Sequence, residues 1–310
     1  MEVSISIKKK VALLVITLAI IVMIPKAMDK IRIIKLNDAI DSGDRPTIEK
    51  TVSRVSKDDI DAMKSNHPLN NASFHGDIET VILLVEKGID VNPRDKVENT
   101  PLLNALSSNN INRCKIAMYL IAHGADVNAE NIYGETALTI LIHNDEHSKN
   151  VKEETIELFK SLYEKSSIES MFPNEYMGEK NAFDMVAHYD MPELVDWLIE
   201  KGDYSYSDIP RDDSGSYLHN YYKKIDSDYI YKCPNMIEYI VNNKLEDINS
   251  TNNDGRTILS IAAEMDDIQD CKLFLKLGVN PSIKDNSGKT AYDYATEKNN
   301  KEIIELLENY

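Results

Sequence analysis

The stretch Asn252-Asn-Asp-Gly-Arg-Thr-Ile-Leu-Ser-Ile-Ala-Ala263 is echoed 33 residues later by Asp285-Asn-Ser-Gly-Lys-Thr-Ala-Tyr-Asp-Tyr-Ala-Thr296. Gly255 and Gly288 are 33 apart, and so are Thr257 and Thr290. A fixed period of this size constrains the chain more than any local propensity. It means supersecondary units stacked in a row, each touching only its neighbours, and not one closed core. The 310 residues therefore need not divide into conventional domains. A stack also presents an extended surface, which favours binding over catalysis in a pocket.

The same layout recurs upstream. His67-Pro-Leu69 opens one unit, and Gly76-Asp-Ile-Glu-Thr-Val-Ile-Leu-Leu-Val-Glu-Lys-Gly88-Ile-Asp-Val-Asn92 completes it. Thr100-Pro-Leu102 opens the next, closed by Tyr119-Leu-Ile-Ala-His-Gly124-Ala-Asp-Val-Asn128, with Gly88 and Gly124 stretched to 36 apart. Gly134-Glu-Thr-Ala-Leu138 starts a third, whose second helix, Thr155 to Leu162, follows a polar insertion. In the fourth, Asn181 to Ala187 is a degenerate opening and Pro192 to Gly202 a regular second helix. The fifth has Gly215-Ser-Tyr-Leu-His219, an insertion, then Met236 to Val241. The sixth runs from Gly255 to Asn280, and the seventh from Gly288 into the charged helix Lys301 to Leu307, whose polar outer face suits a terminal cap. Leu36 to Ile40, Gly43-Asp44 and Ile48 to Val55 form a weaker N-terminal capping unit.

These motifs resemble the ankyrin-repeat family over about 270 residues. The Thr caps the first helix, Pro takes its first position, and the closing Gly ends the second helix in a left-handed conformation. The resemblance implies an all-α repeat solenoid of about seven units, each a helix-turn-helix with a β-hairpin finger; the residues before it add an N-terminal cap and, from the apolar run at 11–27, one transmembrane helix. The boundaries are a basic tail at 1–10, an anchor at 11–27, a juxtamembrane segment with capping repeat at 28–64 and the repeat domain at 65–310. Its units are about 65–95, 96–130, 131–173, 174–211, 212–251, 252–284 and 285–310. The family's His after Thr-Pro-Leu survives only as His219, its place being taken elsewhere by Asn70, Leu103, Thr139, Asp184, Ser260 and Asp293. Weaker hydrogen bonding between units is expected in consequence.

Val11 to Pro25 is uncharged and follows Lys8-Lys9-Lys10. Fifteen to 17 helical residues span roughly 22–26 Å, and flanking lysines can make up the remainder of a ~30 Å hydrocarbon core. A signal peptide begins the same way, but no small-x-small cleavage site lies at the right distance. An uncleaved single span is expected, with a cleaved, secreted form as the alternative. Lysines and arginines on the two flanks do not decide orientation. Three clustered lysines in a short tail are awkward to translocate, so the repeats are placed on the outer, periplasmic or extracellular, side.

Formal net charge is −17. Residues 1–28 carry +3, so the remainder holds −20, which repels phosphate backbones and argues against nucleic-acid binding. Such a surface can steer a basic protein partner towards it, and it equally serves plain solubility. Cys114, Cys233 and Cys271 show neither disulfide nor zinc spacing, and Cys271 falls on an apolar helix face. His143 and His147 are four apart, but they flank a polar loop with no further ligand at metal spacing. There is no phosphate loop, no nucleophile elbow and no His-Glu-x-x-His. No catalytic residue, metal, cofactor or small-molecule substrate is therefore assigned, and the chain is read as a non-enzyme.

Binding residues follow from the family's finger and first-helix positions. The fingers hold Lys96, Val97, Ile132, Tyr133, Asn253, Asp254, Asn286 and Ser287, and the first helices Ser107, Ser108, His143, His188, Tyr189, Glu264 and Met265. Seven of the 16 tyrosines lie between Tyr204 and Tyr231. Tyr217, Tyr221 and Tyr222 among them are candidate contacts, because tyrosine offers a large rigid ring and a hydroxyl. Packing of the repeat's own core is the alternative. The function expected is recognition of a protein by a membrane-anchored array, as an inhibitor or immunity protein against a toxin. The alternatives are a scaffold organising a membrane complex and a soluble secreted binder.

Overall fold

Short helices dominate the computed structural model, and most of the paired helices begin at a side-chain cap encoded in the sequence. The structure describes residues 28, 30–61, 67–145, 153–166, 186, 190–202, 204–208, 216–220 and 233–310, the side chains of 142–145 and 220 excepted. They belong to two compact units, Met1–Gly178 and Glu179–Tyr310. The apolar run at 11–27, His147, His188, Tyr189, Tyr221 and Tyr222 lie outside the described residues.

In the first unit, residues 30–42 form α1, and Gly43 turns the chain at φ +68° into α2, Arg45–Val52. Asp44 caps α2 by accepting the Thr47 amide. Leu36, Ile48 and Ile60, the last in α3, Lys57–Asp61, are buried to within about 1%. Then come the pairs α4, Pro68–His75, with α5, Ile78–Glu86; α6, Pro101–Ser107, with α7, Arg113–Ala122; and α8, Ala137–Asp145, with α9, Glu153–Lys165. First helices α4, α6 and α8 pack side by side, and α5, α7 and α9 form a second layer behind them.

The second unit contains α10, Pro192–Lys201, a 3-10 turn at Tyr206–Asp208, α11, Tyr217–Asn220, and α12, Pro234–Asn242. Two full pairs complete it: α13, Ile258–Glu264, with α14, Ile268–Lys276; and α15, Ala291–Lys298, with α16, Lys301–Glu308. Here α13 packs on α15 and α14 on α16.

Helices of seven to ten residues, such as α6 and α7, are marginal alone. Layer packing supplies what propensity does not. Leu69, Leu84, Leu102, Leu103, Leu106 and Ile116 are wholly buried, each worth about 1.5–3 kcal/mol on transfer from water. Ala72, Ala105, Ala262, Ala263 and Ala295 are equally buried and let adjacent helices approach closely. Cys271 is in the core, as its helix face predicted, and Cys114 and Cys233 are buried free thiols. Trp197 is half-buried, with the Lys201 ammonium 5.2 Å over its ring.

Caps recur in register. Thr100, Thr257 and Thr290 accept the amides of Leu103, Ser260 and Asp293. His67 fills the same place in the first pair, its Nδ1 accepting from the Leu69 amide. Between first and second helices the chain turns left-handed at Gly76, Asp266 and Asn299, and Asp77, Asp267 and Asn300 cap the second helices. A long-range cap replaces the local one at α12. Asp190 accepts from the Asn235 and Met236 amides, 3.1 and 2.7 Å away.

The expected weakening between repeats is only partial. His219 bonds to Ser216 Oγ through Nδ1 and to the Arg256 carbonyl through Nε2, 2.9 Å away. Asn70 makes the equivalent bond in the first unit, its amide donating to the Asn99 carbonyl at 2.8 Å. An Asn amide reaches the same acceptor as the imidazole, so the substitution keeps the link. Ser260 and Asp293 instead bond within their own turns.

Candidate functional surface

Four loops between units share one construction. Asp95, Asn131, Asn252 and Asp285 each donate their amide to the carbonyl four residues on, at 2.8–3.2 Å. Each Oδ1 accepts two more amides, at positions two and four further along: Val97 and Asn99, Tyr133 and Glu135, Asp254 and Arg256, Ser287 and Lys289. One side chain therefore closes each finger from inside. Among the described residues no strand forms here, which corrects the β-hairpin expectation. A single backbone pair is too short a ladder to count as one.

The fourth residue of each finger is left-handed: Gly134, Gly255 and Gly288 at φ +69°, +76° and +83°, but Glu98 at +63°. A side chain in that conformation costs about 1 kcal/mol. The exposed Arg94–Glu98 ion pair, at 3.6 Å, offsets little of it. Glu98→Gly is expected to raise unfolding stability by about 0.5–1 kcal/mol after the entropy of the extra glycine. Urea titration checks this, and an unchanged or lowered midpoint would mean the loop is not strained at Glu98.

Adjacent fingers are tied together. The Ile132 amide donates to the Val97 carbonyl at 3.0 Å, and the Asn286 amide to the Asp254 carbonyl at 2.9 Å. Asn92 Oδ1 accepts from the Asp126 amide, and Asn249 Oδ1 from the Asn280 amide, at 2.8 and 2.7 Å. In the last finger the Tyr294 hydroxyl donates to Asp285 at 2.5 Å while the Arg256 guanidinium lies 4.5 Å over the Tyr294 ring. The Tyr294 hydroxyl, with the Lys289 and Ser287 amides, holds the Asp285 carboxyl below its usual range. The fingers are thus preorganised, which lowers the ordering cost of binding.

Their tips differ in chemistry. Ile132 and Tyr133 are 58% and 64% exposed, beside half-buried Val97 and exposed Lys96. In the second unit, Asn253, Asp254, Asn286 and Ser287 are exposed and polar. Asn286 is also a strut, its side-chain amide donating to the Asn253 carbonyl at 3.0 Å. On the first helices, Ser107 bonds back to the Leu103 carbonyl and Ser108 is buried. Glu264 pairs with Arg256, and Met265 is 42% exposed. His143 lies in α8, its side chain outside the described residues.

Tyr217 corrects the sequence reading. It is 5% exposed in α11, and its amide and the Ser216 hydroxyl are both held by Glu246. The ring packs inside its own repeat and is not offered to a partner. Phe74 was missed: it is 49% exposed on α4, edge-on to His75. It stands seven residues after the capping His67, as Ser107 does after Thr100 and Glu264 after Thr257. Counting from the cap would have found it.

The family model described as ankyrin repeats (3 copies) matches residues 36–131, 69–153 and 229–310. No curated protein matches the chain. With capped helix pairs in two layers and Asx-closed fingers in register over most of the described length, the chain belongs to the ankyrin-repeat family, whose arrays are protein-binding modules.

Proposed function

We propose that the chain is a membrane-anchored array of about seven units that grips a protein partner through its fingers, without covalent chemistry. The observation that carries this is the pair Ile132 and Tyr133, large apolar side chains held out on a finger locked by its own Asn131. Exposed aromatic and aliphatic side chains on rigid supports are the material of interface hot spots. The body's −20 charge suits a basic partner, and neutralisation of a basic toxin, as an inhibitor or immunity protein would do, is the specific role proposed. The uncharged run Val11 to Pro25 supports the anchor, and the lysine-rich tail supports repeats on the outer side.

Affinity capture with the full chain, wild type beside the Ile132→Asp/Tyr133→Ser double variant, tests the reading. A specific protein retained by the wild type should be held at least about tenfold more weakly by the variant. Equal retention overturns the finger assignment. A mass above the monomer in light scattering would favour a self-associating scaffold instead. Protease protection in intact cells tests which side the repeats occupy.

A further inference from the structure

The first helix carries an exposed apolar stripe for which the repeats have no use. Met28, Ile31 and Ile34 are 47%, 54% and 50% exposed, while Ile33, Leu36, Ala39 and Ile40 on the opposite face are buried against the array. Exposed Lys30 and Lys35 flank the stripe. Along the same face the chemistry then reverses, because the next exposed positions are Asp38 and Asp41. Ile31 and Asp38 are seven residues apart, two turns on one face and about 10 Å along the axis.

We infer that the first two turns of α1 sit in the headgroup layer of an anionic membrane, with Ile31 and Ile34 against the acyl boundary and Lys30 and Lys35 on lipid phosphates. Three observations on this chain select a lipid surface over other occupants. The stripe begins three residues after the uncharged run ends at Pro25. On the α1 side of that run, residues 26–35 hold four cationic side chains, Lys26, Lys30, Arg32 and Lys35, against Asp29 alone, whereas the whole chain is −17. The about 10 Å between Ile31 and Asp38 matches the full ~5–10 Å depth that an interfacial site occupies, so with Ile31 at the acyl boundary the acidic turns are left in water. The inference rests on the proposed anchor and adds to it a fixed attachment of the array, since α1 is continuous with the capping repeat.

The test uses the full chain reconstituted into phosphatidylcholine–phosphatidylglycerol vesicles, with spin labels on Ile31→Cys, Ile34→Cys or Asp38→Cys. Cys114, Cys233 and Cys271 are buried, so the new thiol takes the label. Oxygen should relax the labels at 31 and 34 more strongly than a water-soluble nickel chelate does, and the order should reverse at 38. Nickel reaching 31 and 34 as readily as 38, in protein that floats with the vesicles, overturns this inference and leaves the anchor standing. Failure to float removes both. Dipolar broadening between labels on separate molecules, with oxygen excluded, assigns the stripe to a second copy and overturns the lipid contact.

Discussion

Acidification is expected to weaken the N-terminal unit by about 3 kcal/mol through His67 alone. The ring is wholly buried, and its Nε2 has no hydrogen-bond partner, the nearest carboxylate oxygen being Asp61 Oδ1 at 3.8 Å. Burial pulls the imidazole down from 6.5 to about 4, overriding the attraction of Asp61 and Asp90. The unfolded chain therefore takes up a proton near pH 6.5 and the folded chain only near 4, so stability falls as pH drops through that window. A displacement of this size corresponds to about 3 kcal/mol. His67→Thr restores the usual cap without a titrating ring, and its stability should lack this part of the acid slope. Hydrogen exchange of α4 and α6 amides at a series of pH values, wild type against variant, measures the difference. Parallel slopes would place the acid sensitivity elsewhere. The C-terminal unit should respond in the opposite sense at Asp190. Burial raises that carboxyl from 3.8 to about 6, against the Met236 and Asn235 amides, so its contribution is present below about 4 and lost as pH rises through 6.

Gly255→Ala should cost about 3 kcal/mol, and Gly288→Ala only about 1. Both glycines are left-handed, at φ +76° and +83°, so the conformational penalty of a side chain is common to them. Their surroundings differ. A Cβ on Gly255 would lie 2.6 Å from Asn286 Oδ1 and 2.9 Å from the Asn286 amide nitrogen, whereas a Cβ on Gly288 meets nothing within 4 Å. The side chain could swing away, but the amide is fixed by its 2.9 Å bond to the Asp254 carbonyl, so the alanine must push the two fingers apart. Urea midpoints for the two variants decide the matter. Equal losses would show that Gly255 is required by its own turn and not by its neighbour.

Much of the architecture was legible because periodic Gly and Thr mark events that repeat in register. Gly255 and Gly288 head the same turn, and Thr257 and Thr290 cap the same helix. What was hidden involves residues reaching the same geometry by other chemistry. Glu98 occupies a left-handed position without being glycine, and Asn70 reaches the Asn99 carbonyl without being histidine. The Asx closure of each finger is written in Asp95, Asn131, Asn252 and Asp285, but Asp and Asn are common in any polar loop, so their identity alone does not reveal the bonding. Tyr217 misled because tyrosine serves interfaces and interiors alike, and composition cannot separate the two. Ile132 and Tyr133 stand exposed at the positions the finger register gives them, whereas the exposure of Phe74 was not legible, since a lone aromatic on a buried helix reads as core until its place in the turn is counted.

Each finger is closed by its own Asx side chain and joined to its neighbour by a backbone bond. A unit therefore carries everything it needs to be copied. Duplicating or deleting one asks only that the seam with the next unit be reproduced, so such a chain can change length between generations and keep the rest of its contacts intact. The stretch of 36 residues between Gly88 and Gly124 shows the same tolerance within a unit: at the loop around Asn109 to Asn112, Asn110 and Asn112 still bond back to His75 and Gly76.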